Sequence, residues 1–516
     1  MERVAPLILL TSLAACLANA VPAVAAPTIL PLAAILATRP AAPTLLCAVP
    51  IALLPIPATS PANAAPPLTA PAAPATGDSY TSQGNNIIRI SLNYDGMLDT
   101  HQSYLKFDIE NTSVVAGAAG RIVRDLGQPE IARLVVSSGG VVLEDIQNYN
   151  HLVGGILAPC QYGTGNVNEA LTNAQCFAAT NQAVNAGGQL NVNSGGAHTS
   201  TLCYEDPANA GIAARGAFNS VNVLDVGAAN KITCCYKLYS GLLDNEKYLP
   251  LVLMNNGLDI EIHLASGNEI GVNDNAGNTQ QYSVSNVRYV AHLIDLQRDF
   301  YDMLRQTQQA SGGVIQIAGQ TFRSFTSPLD VAAGTYSINV PVRARSIKSF
   351  LYKASAAVPT NATFDLTGAS RLYDGDGEYH LQIGATKYPP TAIKVNTAFN
   401  KSEAYNELMK SFGKLGSSIH QNLLQGQNYL SIANVAGAAR NAINPTGVIP
   451  FAPFGIDLET FRAEIENGID TSSRALPMTL HLTKGASGAT AHNLFMYCLI
   501  DTLFFVNMDG SVSVSS

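Results

Sequence analysis

Two segments some two hundred residues apart carry the same run of β-structure, and that repetition constrains the fold more than any other feature. Leu258-Asp259-Ile260-Glu261-Ile262-His263-Leu264 alternates apolar and polar residues, as a strand with one buried face must. A glycine-containing loop then leads to Ala291-His292-Leu293-Ile294-Asp295-Leu296. Met478-Thr479-Leu480-His481-Leu482 alternates in the same way, and its own glycine loop leads to Tyr497-Cys498-Leu499-Ile500-Asp501-Thr502-Leu503. Strand, His-Leu, glycine loop and Leu-Ile-Asp strand recur in the same order, which is what one β-domain used twice leaves behind. The spacing from His263 to Leu293 is 30 positions and from His481 to Leu499 it is 18, so the loop is 12 residues shorter in the second copy. The expectation is two diverged sandwiches.

Composition decides what such a pair of domains is for. The 516 residues supply ample core at 47% apolar content, but only 13% are charged, about half of the ~25% usual in soluble domains. Charge keeps proteins apart in solution, so a surface this poor in it suits a chain covered by neighbours. Net charge is −8. The densest basic group is Arg343, Arg345 and Lys348, too small to neutralise a phosphate backbone, and no direct nucleic-acid binding is expected. Cys16, Cys47, Cys160, Cys176, Cys203, Cys234, Cys235 and Cys498 show no C-x-x-C spacing and no histidines at metal-site spacing. They read as buried thiols in a reducing compartment, with neither zinc nor a disulfide framework.

Residues 1–76 form a distinct segment holding 14 of the 27 prolines and only Glu2, Arg3 and Arg39 as charges. Met1 to Ala20 imitates a secretory signal, with Arg3, an apolar stretch from Leu7 to Leu17 and Ala18-Asn19-Ala20 as a cleavage site. Apolar, proline-rich chain continues far past that point, however, and prolines at 22, 27, 31, 40, 43, 50, 55 and 57 break any membrane-spanning helix. The segment therefore reads as a retained, irregular apolar arm. Such an arm needs a partner surface, an inner shell or a membrane.

From Gly77 onward short alternating segments predict a first β-sandwich over 77–298, a helical connector over 299–313 and a second sandwich over 314–516. Predicted strands are 86–93, 102–111, 132–137, 141–146, 231–239, 248–254, 258–264 and 282–296, then 314–318, 335–344, 349–353, 379–383, 478–482 and 493–506. Asn255-Asn256-Gly257 predicts a tight hairpin between its two flanking strands. Ser402 to Phe412, with Ser402 as cap, and Ile456 to Ile465 read as helices. Gly163 to Ser200 and Asn268 to Gln281 read as long polar loops.

In order and style the body then resembles the double jelly-roll major capsid proteins of double-stranded DNA viruses, most of all those of small eukaryotic viruses and virophage-like elements. The residues that carry the resemblance are Tyr248-Leu249-Pro250-Leu251 before Leu258 to Ile262, Val342 to Phe350, Tyr379 to Gly384 with Tyr388-Pro389-Pro390, and Ile456 to Glu459 before Gly468 to Ser472. The resemblance implies an all-β chain of two consecutive jelly rolls, a homotrimer of pseudo-hexagonal outline, tiling into an icosahedral shell, and minor capsid or penton proteins as further partners. An arm of 76 apolar residues departs from that pattern. The competing reading is a secreted or surface-anchored β-sandwich adhesin or layer protein with a cleaved signal, and a β-sheet hydrolase is a third.

No catalytic, cofactor-binding or metal-binding set can be assembled from the sequence. Gly77-Asp78-Ser79 resembles the opening of an esterase signature but lies at a composition boundary, not between strand and helix. Gly163-Thr164-Gly165 and Ser194-Gly195-Gly196 lack the Lys-Ser/Thr of a phosphate cradle. Asp374, Asp376 and Glu378 read as a solvated turn lacking calcium-loop spacing. His263 and His481 take equivalent polar-face positions, and Cys234 and Cys235 point to opposite faces of one strand. Asn111, Asn361 and Asn400 open glycosylation sequons.

Overall fold

The computed structural model describes residues 68–112, 120–123, 128, 130–157, 160, 223–224, 231–273, 281–357, 376–396, 400–413, 429, 453–460, 466–474, 476–485 and 491–516. All of them belong to one compact unit, Asn63–Ser516. The first half contains β1 (Leu68–Ala72), β2 (Ser79–Thr81), β3 (Ile87–Leu92), β4 (Met97–Asn111), β5 (Gly120–Val123), β6 (Ile131–Ser138), β7 (Val141–Gln147), β8 (Val223–Leu224), β9 (Lys231–Tyr236), β10 (Leu249–Pro250), β11 (Leu258–Leu264), β12 (Gly271–Asn273) and β13 (Tyr282–Ile294). Short helices α1 (Tyr149–Leu152) and α2 (Gly267–Ile270) interrupt it, and α3 (Arg298–Ala310) follows. The second half contains β14 (Val314–Leu329), β15 (Gly334–Val340), β16 (Ile347–Ala356), β17 (Asp376–Ile383), β18 (Thr386–Asn396), helix α4 (Ser402–Ser411), β19 (Phe454–Asp457), β20 (Met478–Lys484), β21 (His492–Asn507) and β22 (Val512–Ser515).

Hydrogen bonding sorts most of these strands into two antiparallel sheets per half, with β12-β5-β8 a further three-stranded sheet in the first. In the first half β1 and β2 both pair with β13, which pairs with β4, which pairs with β9; the facing sheet has the order β3-β11-β6-β7. In the second half the orders are β14-β21-β16-β19 and β15-β20-β17-β18. Lettered B to I along the chain, each half gives the same two sheets, B-I-D-G and C-H-E-F, the order of a jelly roll. The chain is a double jelly roll.

The repeat seen in the sequence has a topological basis. Strands β11 and β20 are the H strands, each buried on alternate residues, and both histidines lie on the outward face. Strands β13 and β21 are the I strands. In both, Leu-Ile meets the first residues of strand D: Leu293 and Ile294 pair with Leu98 and Met97, while Leu499 and Ile500 pair with Ser349 and Ile347.

Alternation places Ile88, Ile90, Leu134, Leu258, Ile260 and Ile262 of one sheet against Tyr80, Leu105, Phe107 and Val284 of the other in the first core. Phe350, Tyr352, Tyr379, Phe454 and Tyr497 anchor the second, with Tyr352 stacked on Phe454 at 5.0 Å and edge-on to Tyr379 at 5.5 Å.

Several local expectations are corrected. Tyr248 to Met254 is not a strand: only Leu249 and Pro250 pair, with β4, and Leu251–Leu253 form a 3₁₀ turn whose Leu251 and Leu253 are buried. Pro250 lacks the N–H that would extend the ladder. The Asn-Gly pair is consequently no hairpin; Gly257, at φ +61 against the Leu92 carbonyl, carries the chain from one sheet to the other, where β11 pairs with β3 and β6. Ile456 and Asp457 belong to strand β19, not to a helix, because β19 completes the sheet beside β16. Helix α4 takes Lys401 as its N-cap with no side-chain cap bond, and Ser402 is its first residue. Asp376 and Glu378 lie in strand β17 instead of a turn, paired with β18. Finally, Leu68–Ala72, inside the stretch read as an irregular arm, is strand β1, in register with Leu293 to Tyr289.

Candidate functional site

No metal-binding cluster emerges among the described residues, where no group of three or more His, Cys, Asp or Glu could hold a metal ion. What the structure offers instead are built surfaces: the junction between the jelly rolls and their outward C-H-E-F faces.

The junction is formed by strand F of the first jelly roll and the helical turn after it. The Gln147 amide donates to Ser324 Oγ (2.8 Å) and Asn148 Nδ2 to Thr326 Oγ1 (3.0 Å), both on β14. The Tyr497 hydroxyl donates to the Asn148 carbonyl (2.8 Å), and His151 stacks on Phe495 at 4.0 Å. At a second point the two backbones nearly touch. A Cβ on Gly241 would lie 2.3 Å from the Gln320 carbonyl, and one on Gly319 would lie 2.5 Å from the Gly241 carbonyl. Asn245 Nδ2 donates to the Ala318 carbonyl (2.9 Å), and the Asn255 amide to the Gly510 carbonyl (3.1 Å). A groove of about 720 Å³ opens beside these contacts, between Gln147 and the Ser324–Leu329 end of β14.

Buried charges at the junction and in the second core are satisfied. Glu144 accepts from the Ser240 hydroxyl and from the amides of Gly241 (2.8 Å) and Leu242 (3.1 Å), so the turn behaves as a small anion nest. Asp501 accepts from Ser346 Oγ (2.6 Å) and the Glu466 amide (2.9 Å) and faces Lys348 Nζ at 3.4 Å, which also meets Glu459 at 3.3 Å. His151 is held neutral: burial, reinforced by the nearby Lys353 charge, drives its imidazole well below the ordinary histidine value.

The two outward C-H-E-F faces differ. On the first, Arg89 and His263 each meet Glu261 at 2.7 Å, and Arg133 makes a two-point pair with Asp145 at 2.7 and 2.8 Å. Burial tends to raise the Glu261 carboxyl, but hydrogen bonds from His263 and Arg89 outweigh it and hold the group below the usual carboxylate range. Among the described residues, the second face shows no such ionic network. His481 there meets Ser337 Oγ through Nδ1 at 2.9 Å and lies ring to ring with His380 at 4.9 Å.

The remaining sequence candidates fall into place without forming a site. Gly77 and Asp78 make the turn into β2, and Ser79 is an exposed edge residue paired opposite Ser285. Cys234 faces the core and Cys235 the outer side of β9, as their alternation requires. Cys498 is fully buried, and burial pushes its thiol up. Asp374, the Gly163 and Ser194 loops, Asn361 and cysteines 16, 47, 176 and 203 lie outside the described residues. His380 was missed by sequence reasoning. Only the pairing of β17 with β20, strands a hundred residues apart, brings it opposite His481.

Comparison with known proteins adds the following. No family model matches the sequence, and no curated protein matches it. Among solved structures the chain is similar to one in the cryo-EM structure of the Sputnik virophage, at 13% identity over 96% of this chain and 94% of that one, TM-score 0.49. It is also similar to the mavirus major capsid protein, at 11% identity over 93% and 97%, TM-score 0.47. The faustovirus major capsid protein follows at 8% over 87% and 92%, TM-score 0.47. The fold assignment rests on the hydrogen-bonded strand order of this chain itself.

Proposed function

We propose that this chain is a non-enzymatic major capsid protein that trimerises into pseudo-hexagonal capsomers and tiles an icosahedral virion shell. The observation that carries the reading is the pair of jelly rolls with identical strand order in one compact unit. A six-cornered tile needs six similar wedges, and three chains supply them when each contributes two.

The junction supports a ring. Strand F of the first jelly roll abuts strand B of the second, and among the described residues strand F of the second (β18) and strand B of the first (β1 and β2) end their sheets. The same F-to-B contact, made between chains, closes a cycle after three copies. Free edges otherwise invite uncontrolled pairing, and capture by a neighbour removes that hazard.

The low charge content fits a tile whose flanks are buried, and the apolar residues ahead of β1 would meet an inner shell or membrane surface. Minor capsid or penton proteins would fill vertices that a sixfold tile cannot. Light scattering on the purified chain tests the first step: a mass of three chains is expected, and a stable monomer at assembly concentrations would refute the reading. N-terminal sequencing of the mature protein separates the rival, which predicts a start near Val21, from a retained arm.

A further inference from the structure

The Leu-Ile-Asp strand that recurs in both jelly rolls ends differently in each. In the first, Asp295 is exposed beside the Tyr301 hydroxyl. In the second, Asp501 is buried and faces Lys348 of β16, which also meets Glu459 just past β19. Lys348 has no counterpart in the first half. The pairing of β16 with β21 steps from Ile347 opposite Ile500 to Ser349 opposite Leu499, so Lys348 is the extra residue of a bulge on β16. Met97 and Leu98 meet Ile294 and Leu293 without one.

The contacts around this lysine are built like a reaction site. Lys348 Nζ lies 3.4 Å from Asp501 Oδ1 and 3.3 Å from Glu459 Oε1, and the three side chains are 9%, 3% and 21% exposed. The other carboxylate oxygen, Oδ2, accepts from Ser346 Oγ at 2.6 Å and from the Glu466 amide at 2.9 Å. Ser346 Oγ itself accepts from the Gly468 amide at 2.9 Å, which leaves its own proton for Asp501. Backbone bonds fix the parts in place: the Leu458 amide donates to the Lys348 carbonyl at 2.8 Å, and the Asp501 amide to the Ser346 carbonyl at 3.1 Å. Glu466 gives its amide to the carboxylate from a left-handed backbone, φ +60, that is costly for a residue with a side chain. The chain neighbours Ile347, Ile456, Leu458 and Ile500 are all buried, so the surroundings are apolar.

We propose that Lys348 and Asp501 join in an isopeptide bond that the folded chain makes on itself, with Glu459 as the proton shuttle. Burial disfavours separated charges, and passing one proton from the lysine ammonium to Oδ1 leaves an amine beside a carboxylic acid. Nζ then attacks the Asp501 carboxyl carbon. Negative charge develops on Oδ2, where the Ser346 hydroxyl and the Glu466 amide already donate, as in an oxyanion hole. Glu459 takes a proton from the newly bonded nitrogen and delivers it to Oδ1, whose bond to carbon breaks as water leaves. The nitrogen keeps one hydrogen, the Glu459 carboxylate is restored, and the balance needs no oxidant or second substrate. Folding supplies the alignment that the unfolded chain lacks. The reaction happens once per chain, so the protein turns over nothing. Its product ties strands D and I of the second jelly roll covalently and closes the chain between Lys348 and Asp501, which restrains unfolding as a disulfide does.

The test uses the full-length protein, held folded near neutral pH, then denatured and weighed by mass spectrometry. The linked chain is expected to be lighter than its sequence by one water molecule, and proteolysis should yield a branched peptide joining the Lys348 segment to the Asp501 segment. Lys348→Arg, whose guanidinium stays charged, and Asp501→Ala should both keep the full mass and give no branched peptide. Glu459→Gln should slow the conversion by about 10²–10⁴-fold, the usual worth of a positioned proton-transfer group. Asp295→Ala should convert like the wild type. A wild-type chain at full mass with no branched peptide would overturn the proposal, and that result decides even where a variant fails to fold. So would a loss of water that persists in Lys348→Arg, or conversion of Glu459→Gln at the wild-type rate. Denaturation of the unlinked chain reads only the noncovalent cluster, so the mass is the deciding measurement. A failure here leaves the oligomeric mass, and hence the shell role, untouched.

Discussion

Replacing Asp501 with alanine would leave Lys348 in the second core without the carboxylate it faces at 3.4 Å, and would orphan the Ser346 hydroxyl and the Glu466 amide. Lys348 keeps Glu459 at 3.3 Å, so the cost is chiefly that of leaving buried donors unsatisfied, about 1–3 kcal/mol. Chemical denaturation of Asp501→Ala is expected to read a loss of that size, whereas a change within 0.5 kcal/mol, about what a surface substitution gives, would show the cluster to be unimportant. His151 gives a pH signature. Its folded-state value is depressed, so the unfolded chain binds the proton more readily. Its contribution is therefore fully present above the ordinary histidine range and falls away as pH drops below about 6.5, by up to ~1.4 kcal/mol per pH unit. His151→Phe, which keeps the stack on Phe495, should flatten the acid side of the melting-temperature profile, and an unchanged slope would contradict the assignment. At this scale the sequence was only half legible. The outward placement of His263 and His481 followed from alternation alone, but His380, Ser337 and Lys348 acquire their partners through long-range strand pairing that no local pattern encodes.

At the scale of elements, the sequence reveals the central strands together with proline-free edges such as β3, β7 and β15. β11, β13, β20 and β21 carry neighbours on both sides; the first three alternate, and β21 is buried on both faces along much of its length. Among the segments that escaped are edges carrying proline: β1 with Pro71, the far half of β14 with Pro328, and β18 with Pro389 and Pro390. A strand bonded on one side only can spare the N–H that proline lacks, so its sequence is free to look like a loop. The run from Tyr248 to Met254 failed in the opposite sense, since its apolar residues fill the core from a 3₁₀ turn. Two tests belong here. A chain beginning at Asn63 keeps β1, whereas one beginning at Gly77 exposes the Tyr289–Leu293 edge of β13. The shorter chain should melt lower and aggregate sooner, and equal behaviour would show that β1 adds nothing. Gly241→Ala would force a Cβ to within 2.3 Å of the Gln320 carbonyl and pry the jelly rolls apart. Overpacking of this kind costs about 1–3 kcal/mol, readable by denaturation.

For the molecule as a whole, the duplicated domain was the most legible property, because two copies of one fold leave paired signals that a single domain does not. Equivalent H and I strands and an identical sheet order support that reading, with Leu-Ile meeting the start of strand D in both halves and a register shift there in the second. The distinct outer faces, ionic on the first jelly roll and histidine-bearing on the second, show where the copies have since diverged. We propose that three such chains make a six-lobed tile by repeating the internal F-to-B contact between copies. Electron cryo-microscopy of the purified oligomer tests it most directly. The account predicts a threefold particle with six jelly-roll lobes and β18 of each chain lying against β1 and β2 of the next; isolated two-lobed particles, or a ring joined through other edges, would contradict it.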